Sequence, residues 1–369
     1  MIDVYHLSLQ PNGCAISYVR YRRISTEYRR KIQMNRKYSG HTLNRVRDFT
    51  KPNFSLGSRD MEKALINASL EQQGGVKNNT HRSRLAAIRD FSAFLKVNTR
   101  IKRLNHIDKT TVLQYGEQLQ ERYEVGTLSP VTARDYLSHI NRTLAQARGD
   151  ETCVVRATAD LGFVPKSGVA QTDGSIAERM HECVLNSVSE ELGLIIQLQR
   201  KFGMRFREAC LHDAQQSLRA LAKNEIPTIS RGTKGGQSRS MPVENTEQYN
   251  LLVRVAAYQK EHKTHTLIPD GRSFKSFQSY AWRETKAIDA LYLTHGERKF
   301  FATEFYARKI GVRCPVQSGI SHGKDHFAFI AKELAIPIEH AQSLDRIVRL
   351  ELSELLGHHR VEITNAYLG

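Results

Sequence analysis

Apolar residues recur at three- and four-residue steps over most of this chain, and that period limits the fold more than any other feature. In the stretch THRSRLAAIRDFSAFLKV it predicts one buried helical stripe that consists of Leu85, Ile88, Phe91 and Leu95. The polar residues of the opening turn are expected on other faces of the helix: Thr80, His81, Arg82 and Arg84. The sequence therefore predicts a mainly α-helical protein.

Start and stop signals divide residues 59–150 into four helices, which predict one compact helical domain. The first helix ends at the pair Gly74-Gly75, Asp108 is expected to cap the third, and Ser129-Pro130 opens the fourth. Residues 151–175 lose the helical period and gather Gly, Pro, Ser and Thr, which indicates an interdomain linker. The period resumes in a second domain, residues 176–369.

The charge of the chain indicates a polyanionic partner. Lys and Arg number 55 against 38 Asp and Glu, which gives a net charge of +17 over 369 residues, and such an excess favours nucleic acid over a membrane surface. The five cysteines lie far apart without a C-x-x-C pair, and no signal peptide or membrane span is recognisable. We expect a cytoplasmic protein that associates with the nucleoid.

The first 58 residues form a basic N-terminal extension, in which tyrosines are interleaved with cations. Its cationic residues are Arg20, Arg22, Arg23, Arg29, Arg30, Lys31, Arg36, Lys37, Arg45, Arg47 and Lys51. Backbone phosphates and exposed bases suit such a composition. Binding of DNA by this arm and a solvated segment without a fixed role remain equally open at this point.

The second domain carries four short motifs in a fixed order. GMRFREA offers Arg205, and IPTISRGTKGGQSRSMPV predicts two short strands joined by a glycine-rich turn with Lys234. HGER places His295 and Arg298 one helical turn apart, and LGHHRVEITNAY places His358 nine residues before Tyr367. Each motif alone is typical of an ordinary protein surface, whereas their order and spacing together are specific.

In this order the chain resembles the tyrosine recombinases, the phage integrase family. The family motifs are G-L-R-x-x-E, a β-hairpin lysine followed by Gly, Arg and Pro, H-x-x-R, and L-G-H with a tyrosine nine positions later. Their counterparts here are Gly203, Met204, Arg205, Glu208, Lys234, Gly235, Arg239, Pro242, His295, Arg298, Leu356, Gly357, His358 and Tyr367. The resemblance implies an α-rich catalytic domain with a small β-sheet or hairpin and, more loosely, a SAM-like helical core-binding domain at residues 59–150.

DNA strand exchange needs a nucleophile that attacks a phosphodiester and keeps its energy in a protein–DNA bond. A tyrosine hydroxyl, with an ordinary pKa of about 10, needs activation for this task, and Tyr367 is the expected nucleophile. Two guanidinium groups can hold the non-bridging oxygens in a bidentate manner and stabilise the charge of the transition state. Arg205 and Arg298 are expected in that role.

The departing 5′-oxygen must gain a proton, and a lysine on a hairpin is a suitable general acid, which assigns Lys234. His295 and His358 remain for proton transfer and phosphate binding, with His295 preferred as the base. The expected DNA-contacting residues are Arg82, Arg84, Arg134 and Arg239. We expect double-stranded attachment sites as substrate, a homotetramer on a synaptic DNA complex, accessory DNA-bending proteins as partners, and no cofactor or metal.

Several alternatives remain open from the sequence. Arg207 and His359 compete with Arg205 and His358, and His322, His326, His358 and His359 form a weak candidate zinc set. An accessory DNA-binding protein without cleavage activity, a type IB topoisomerase and an Xer-like resolvase are the alternative functions. Residues 311–340 are interpreted as an insertion of unknown role. Many relatives continue beyond the tyrosine into a tail that docks on a neighbouring subunit, and because this sequence has no comparable tail, it does not predict how protomers contact each other.

Overall fold

The computed structural model of the chain describes residues 47–165 and 167–369, which divide after position 166 into two compact units. Helices dominate both units, so the prediction of a mainly α-helical fold is confirmed. In these two ranges no helix combines the length and the apolar character that crossing a bilayer requires. Most of the predicted basic extension, residues 1–46, lies outside the described residues.

The described part of the first unit contains the four predicted helices and a short fifth one. They are α1 (Met61–Gln72), α2 (Asn79–Asn98), α3 (Lys109–Glu124), α4 (Pro130–Arg148) and α5 (Ala157–Leu161). α4 packs against α1, α2 and α3, and Ile88, Phe91 and Leu95 of the predicted stripe are fully buried in the shared core, whereas Leu85 is half-buried.

The helix boundaries follow the predicted local chemistry. The Asp108 side chain accepts a hydrogen bond from the Thr111 backbone N–H at 2.8 Å. Ser129 does the same for Thr132 at 3.1 Å, with Pro130 at the first helical position. Each cap satisfies a backbone donor that the helix leaves unpaired. These boundary predictions are confirmed.

The prediction that His81 and Arg84 lie away from the buried face is wrong. Both side chains are buried because α1 packs against α2 on this side. His81 Nδ1 lies 3.1 Å from the Ser69 hydroxyl, and Arg84 donates to the side chain of Gln72. The buried Arg84 side chain therefore links α2 to α1.

The first unit extends beyond both of its predicted boundaries. Before residue 59, Arg47 is buried and donates to Glu71 at 3.0 Å, and Phe54 belongs to the core. After residue 150, helix α5 forms inside the predicted linker, and Val155 and Phe163 are buried in the same core. Composition alone misplaced these edges because a few apolar side chains suffice to anchor a polar segment.

The second unit contains eleven further α-helices among its described residues. They are α6 (Glu178–Leu185), α7 (Glu190–Phe202), α8 (Phe206–Leu211), α9 (Ala214–Leu221), α10 (Thr246–Glu261), α11 (Phe274–Ile288), α12 (His295–Ile310), α13 (Pro315–Ser318), α14 (Lys324–Leu334), α15 (Ile338–Leu355) and α16 (Asn365–Leu368). α12 packs on α7 and on α15, and α14 packs on α15. α12 is therefore central to the unit.

The predicted hairpin is present. Strands β1 (Thr228–Ile229) and β2 (Arg239–Ser240) pair antiparallel, with Ile229 opposite Arg239. Lys234 lies in the 3₁₀ turn Lys234–Gly236 between them. The strands are only two residues long, so the hairpin mainly presents this turn.

Residues 311–340, predicted as an insertion, belong to the core of the second unit. They include α13 and α14, and Val312, Cys314 and Ile330 are buried in one cluster with Tyr367 and Leu368. This stretch therefore builds the wall against which the C-terminal helix packs.

Candidate active site

Arg205 occupies the start of α8, directly after a left-handed turn at Gly203. α7 ends at Gly203, whose φ is +60°, and a Cβ there would lie 2.5 Å from the Phe301 ring. Glycine meets both the backbone requirement and the close approach. The turn brings Arg205 to a half-buried position beside the LGHH segment, with its Nη2 3.3 Å from His358 Nε2.

A buried carboxylate holds this arginine. Glu208 accepts the Arg205 backbone N–H and its Nη1, each at 2.7 Å, and Arg239 Nη2 also at 2.7 Å. Arg298 Nη1 lies 3.9 Å from the same carboxylate. Burial raises the pKa of Glu208, but the hydrogen bonds and charges of Arg239 and Arg205 outweigh burial and lower that pKa to about 2. Glu208 is therefore the anion that joins three cationic side chains.

Arg239 does not lie on the DNA-facing surface that the sequence predicted for it. Its side chain is buried against Glu208, and its Nε finds no hydrogen-bond partner among the described residues. A Cβ at Gly357, whose φ is +70°, would lie 3.1 Å from Arg239 Cδ. The glycine of LGHH therefore leaves room for this arginine, whose contact is with Glu208.

Arg298 is fully buried on α12. Its Nη1 donates to the Gly203 carbonyl, its Nη2 to the Leu356 carbonyl at 2.7 Å, and its Nε to the Tyr367 hydroxyl at 3.3 Å. Burial lowers the pKa of Arg298 to about 10, so the group remains charged at neutral pH. The fork thus joins α7, α15 and α16 at one point.

Tyr367 faces His358 as well as Arg298. Its hydroxyl oxygen lies 3.5 Å from His358 Nε2, the same nitrogen that Arg205 approaches. Because arginine can only donate, Nε2 must be the acceptor and the ring proton belongs on Nδ1. The Tyr367 hydroxyl can then donate to His358 while it accepts from Arg298.

Both motif histidines are neutral in this environment. Burial, followed by the charges of nearby arginines, lowers the pKa of His295 to about 4 and that of His358 to about 4. The His295 ring centroid lies 5.9 Å from that of Tyr367, whereas His358 Nε2 approaches the hydroxyl itself. The geometry favours His358 over His295 as the proton acceptor, contrary to the preference from the sequence.

Lys234 is the member of the predicted set that stands apart. It is exposed on the hairpin turn and makes no hydrogen bond in the described part of the chain. Its charge is nevertheless among those that lower the pKa of His358. The structure thus brings five of the six predicted catalytic residues into contact and holds the sixth nearby.

The competing residues lie elsewhere. Arg207 is exposed, and its guanidinium stacks 5.3 Å from the Phe274 ring centroid. His359 is exposed with φ at +57°. Of the zinc candidates, His322 pairs with Asp345 at 3.1 Å and His326 with the Arg313 carbonyl at 3.1 Å. Across residues 47–165 and 167–369, no group of three or more His, Cys, Asp or Glu side chains is arranged to hold a metal ion.

The remaining predicted DNA contacts lie on the first unit. Arg82 is exposed on α2. Arg134 on α4 is half-buried, with its Nη2 3.5 Å from the Thr158 hydroxyl of α5. Of these two, only Arg82 is exposed.

Sequence reasoning missed a second buried carboxylate, Glu297, although it lies inside the HGER motif. Glu297 accepts hydrogen bonds from Arg200 at 2.7 Å and Tyr292 at 3.0 Å, and it lies 3.0 Å from His181 Nδ1. These contacts fix the first turn of α12, which carries His295 and Arg298. The available signal was a charged residue between the two motif positions His295 and Arg298.

We expect the DNA-free protein to lose stability as pH falls from about 6.5 towards 4. The unfolded chain binds protons on its histidines in that window, whereas native His295 and His358, with pKa values of about 4, do not. Urea unfolding can be followed through the chain's single tryptophan, Trp282 of α11. His295→Gln and His358→Gln should each flatten the pH dependence, with the exposed His106→Gln as control. A slope unchanged in both site variants would contradict the neutral-histidine assignment.

Comparisons with known proteins show a similarity for part of the chain that carries this site. The model of a family described as integrase matches residues 165–304, and no curated protein matches the sequence. Among solved structures, lambda integrase bound to DNA has 12% identity, covers 67% of this chain and 87% of its own, and has a TM-score of 0.48. The Tn1549 transposon integrase in complex with transposon right end DNA has 14% identity, covers 83% and 93%, and has a TM-score of 0.46. Residues 165–304 of this chain are therefore similar to the integrase family.

Proposed function

We propose that this protein is a site-specific DNA recombinase of the integrase type, which cleaves and rejoins DNA through a 3′-phosphotyrosyl intermediate. The observation that carries the proposal is the position of the Tyr367 hydroxyl, 3.3 Å from Arg298 Nε and 3.5 Å from His358 Nε2. A buried tyrosine that only packs in a core does not need two polar partners of this kind. The family match over residues 165–304 supports the same function.

In the first step, the Tyr367 oxygen forms a bond to phosphorus while the bond from phosphorus to the 5′-oxygen breaks. The hydroxyl proton passes to the lone pair of His358 Nε2, the nitrogen that lies 3.5 Å from the Tyr367 hydroxyl. Burial, and after it the charges of Arg205, Arg298, Lys234 and Arg239, depress the pKa of His358. A bound phosphodiester carries the opposite charge and counteracts these arginines, which makes the imidazole a better base when substrate is present.

The two arginines act at different places on the phosphate. Arg205 is partly exposed, with 23% of its side-chain surface accessible, so its guanidinium can reach a non-bridging oxygen. Arg298 is buried and contacts the Tyr367 oxygen itself. That oxygen becomes a bridging atom of the phosphotyrosyl bond, and Arg298 then stabilises the negative charge that accumulates around it.

Lys234 acts as the general acid in this proposal. The 5′-oxygen leaves as an alkoxide unless it gains a proton, and the exposed ammonium on the hairpin turn can supply one. Rejoining reverses the steps: the 5′-hydroxyl of a DNA end attacks the phosphotyrosine and Tyr367 leaves. The same groups serve both directions.

The remaining parts of the chain bind and organise the DNA. We assign double-stranded attachment sites as substrate, the helical domain with Arg82 as one contact surface, and a homotetramer as the synaptic assembly. The basic residues ahead of position 47 would grip additional sites, as expected of a mobile-element integrase rather than an Xer-like resolvase. Accessory DNA-bending proteins would assist such an assembly, and the reaction takes place in the cytoplasm at the nucleoid.

Tyr367→Phe should abolish covalent attachment to DNA because it removes only the attacking oxygen. On a nicked attachment site, wild-type protein should leave an adduct on a denaturing gel, and the variant should leave none. Tyr249→Phe, at an exposed tyrosine of α10, is the matched control and should leave the adduct unchanged. An adduct that persists in Tyr367→Phe removes this residue from the nucleophile role, and a wild type without any adduct favours a non-cleaving accessory protein.

Lys234→Ala should slow departure of the 5′-oxygen, and a 5′-bridging phosphorothioate should restore much of the rate because a thiolate leaves with little protonation. The rate of adduct formation on the two substrates measures this. Arg231→Ala, at another exposed cation of the same hairpin, is the control, and sulfur should not rescue whatever rate it loses. Equal rates for Lys234→Ala on both substrates would exclude the general-acid role.

The basic arm should contribute to the salt dependence of binding on long attachment-site DNA. Because Phe54 and Arg47 belong to the first unit, the appropriate truncation removes residues 1–46 and leaves that core intact. Each phosphate that the truncated protein no longer neutralises should flatten the slope of log affinity against log salt by about 0.9, and several of the removed cations should contribute. A minimal core site should show little change. Equal slopes on both DNA lengths would contradict arm binding.

A further inference from the structure

The segment that carries Tyr367 is held by a second buried arginine, Arg349 on α15. Arg349 is fully buried. Its Nη1 donates to the Thr364 hydroxyl at 3.2 Å and to Asn365 Oδ1 at 2.9 Å, and its Nη2 donates to an oxygen of Gly369 at 3.3 Å. The terminal nitrogens of one guanidinium thus bind two residues before Tyr367 in the sequence and one residue after it.

A buried network fixes the orientation of this guanidinium. Arg349 Nε donates to Asp345 Oδ1 at 3.0 Å, one turn earlier on α15. The same carboxylate accepts the Tyr306 hydroxyl at 2.5 Å and lies 3.1 Å from His322 Nε2. Nε donates to Asp345, and the two terminal nitrogens of the planar guanidinium point towards the C-terminal segment.

The buried Arg349 and its hydrogen bonds do more than fill space in the core. A buried ion pair is seldom more stabilising than well-packed apolar side chains of similar volume, and the surrounding cluster of α12, α14 and α15 is apolar. What an arginine adds is direction, because its hydrogen bonds require the acceptors in fixed places. All of the acceptors other than Asp345 belong to residues 364–369.

We propose that Arg349 is a positioning residue for the nucleophile, which acts by holding residues 364–369 so that the Tyr367 hydroxyl meets Arg298 and His358 of the same chain. This inference rests on the proposed function, in which Tyr367 attacks the phosphodiester. Arg349 itself touches neither Tyr367 nor the other five proposed catalytic residues. The backbone of Asn365 is held from a second side, where its carbonyl accepts the Ala170 N–H at 2.8 Å.

The test combines an activity measurement with one that does not depend on activity. Arg349→Lys keeps a charge beside Asp345 but cannot supply the fork. We expect single-turnover adduct formation to fall roughly ten- to a hundredfold, as for other small misplacements of reacting groups, while the Kd for attachment-site DNA stays unchanged. Hydrogen exchange in a peptide that covers residues 361–369 should become faster. Glu351→Gln is the control. Glu351 lies on the same helix as Arg349, and its substitution breaks an exposed ion pair with Lys309 of α12, which should change neither measurement.

Acceptor-side variants keep the test decisive if Arg349→Lys does not fold. Asn365→Ala and Thr364→Val each remove one acceptor, and each should lower the adduct rate several-fold with unchanged DNA affinity. Combining Asn365→Ala with Arg349→Lys should cost less than the product of the two single effects, because both remove the same hydrogen bond.

Two outcomes would overturn the positioning role. One is a folded Arg349→Lys, or both acceptor variants, with the adduct rate of wild type. The other is unchanged exchange of residues 361–369 in all of these variants. A wild-type protein that forms no adduct would instead count against the proposed function, and the exchange measurement would still decide whether Arg349 holds the segment.

Discussion

The candidate site depends on the neutralisation of guanidinium groups that have been removed from water. Glu208 is fully buried and contacts Arg205 and Arg239 directly, with Arg298 at 3.9 Å. Burial of an unpaired guanidinium would be strongly unfavourable. One carboxylate cannot balance three cations, and carbonyls of Gly203 and Leu356 complete the hydrogen bonding of Arg298. The charged side chains therefore leave the site with a positive excess.

This excess explains the state of the two histidines. Their pKa values of about 4 result first from burial and then from the neighbouring arginines, so both imidazoles are neutral and can accept a proton. Substrate changes the balance, because the phosphate adds a negative charge where the arginines converge. In the proposed function, the groups that bind the phosphate are the same groups whose charge lowers the pKa of His358, so binding and activation of the base would be coupled through electrostatics.

The sequence predicted the helices and the hairpin better than it predicted the environments of the arginine side chains. Helical periodicity and capping residues such as Ser129 located the helices, and motif spacing singled out Tyr367 and Arg298, because these signals are local. Arg84 and Arg239 were expected on DNA-facing surfaces but are buried, since their environments depend on Gln72 and Glu208. No local period reveals a partner from another element. A long arginine side chain can be exposed to water or buried in the core, and tertiary packing determines which of the two occurs.

The position of Tyr367 also depends on contacts with residues from other elements of the fold. Apolar packing of residues 311–340 encloses α16, but such contacts are non-directional and would tolerate small rotations of the tyrosine ring. Hydrogen bonds from Arg349 to Asn365 and from the Ala170 backbone to the Asn365 carbonyl remove that freedom. The Ala170 segment continues to Ile176, whose N–H donates to the Gly296 carbonyl beside His295. Residues 170–176 thus connect α16, which carries Tyr367, to the start of α12 within the second unit.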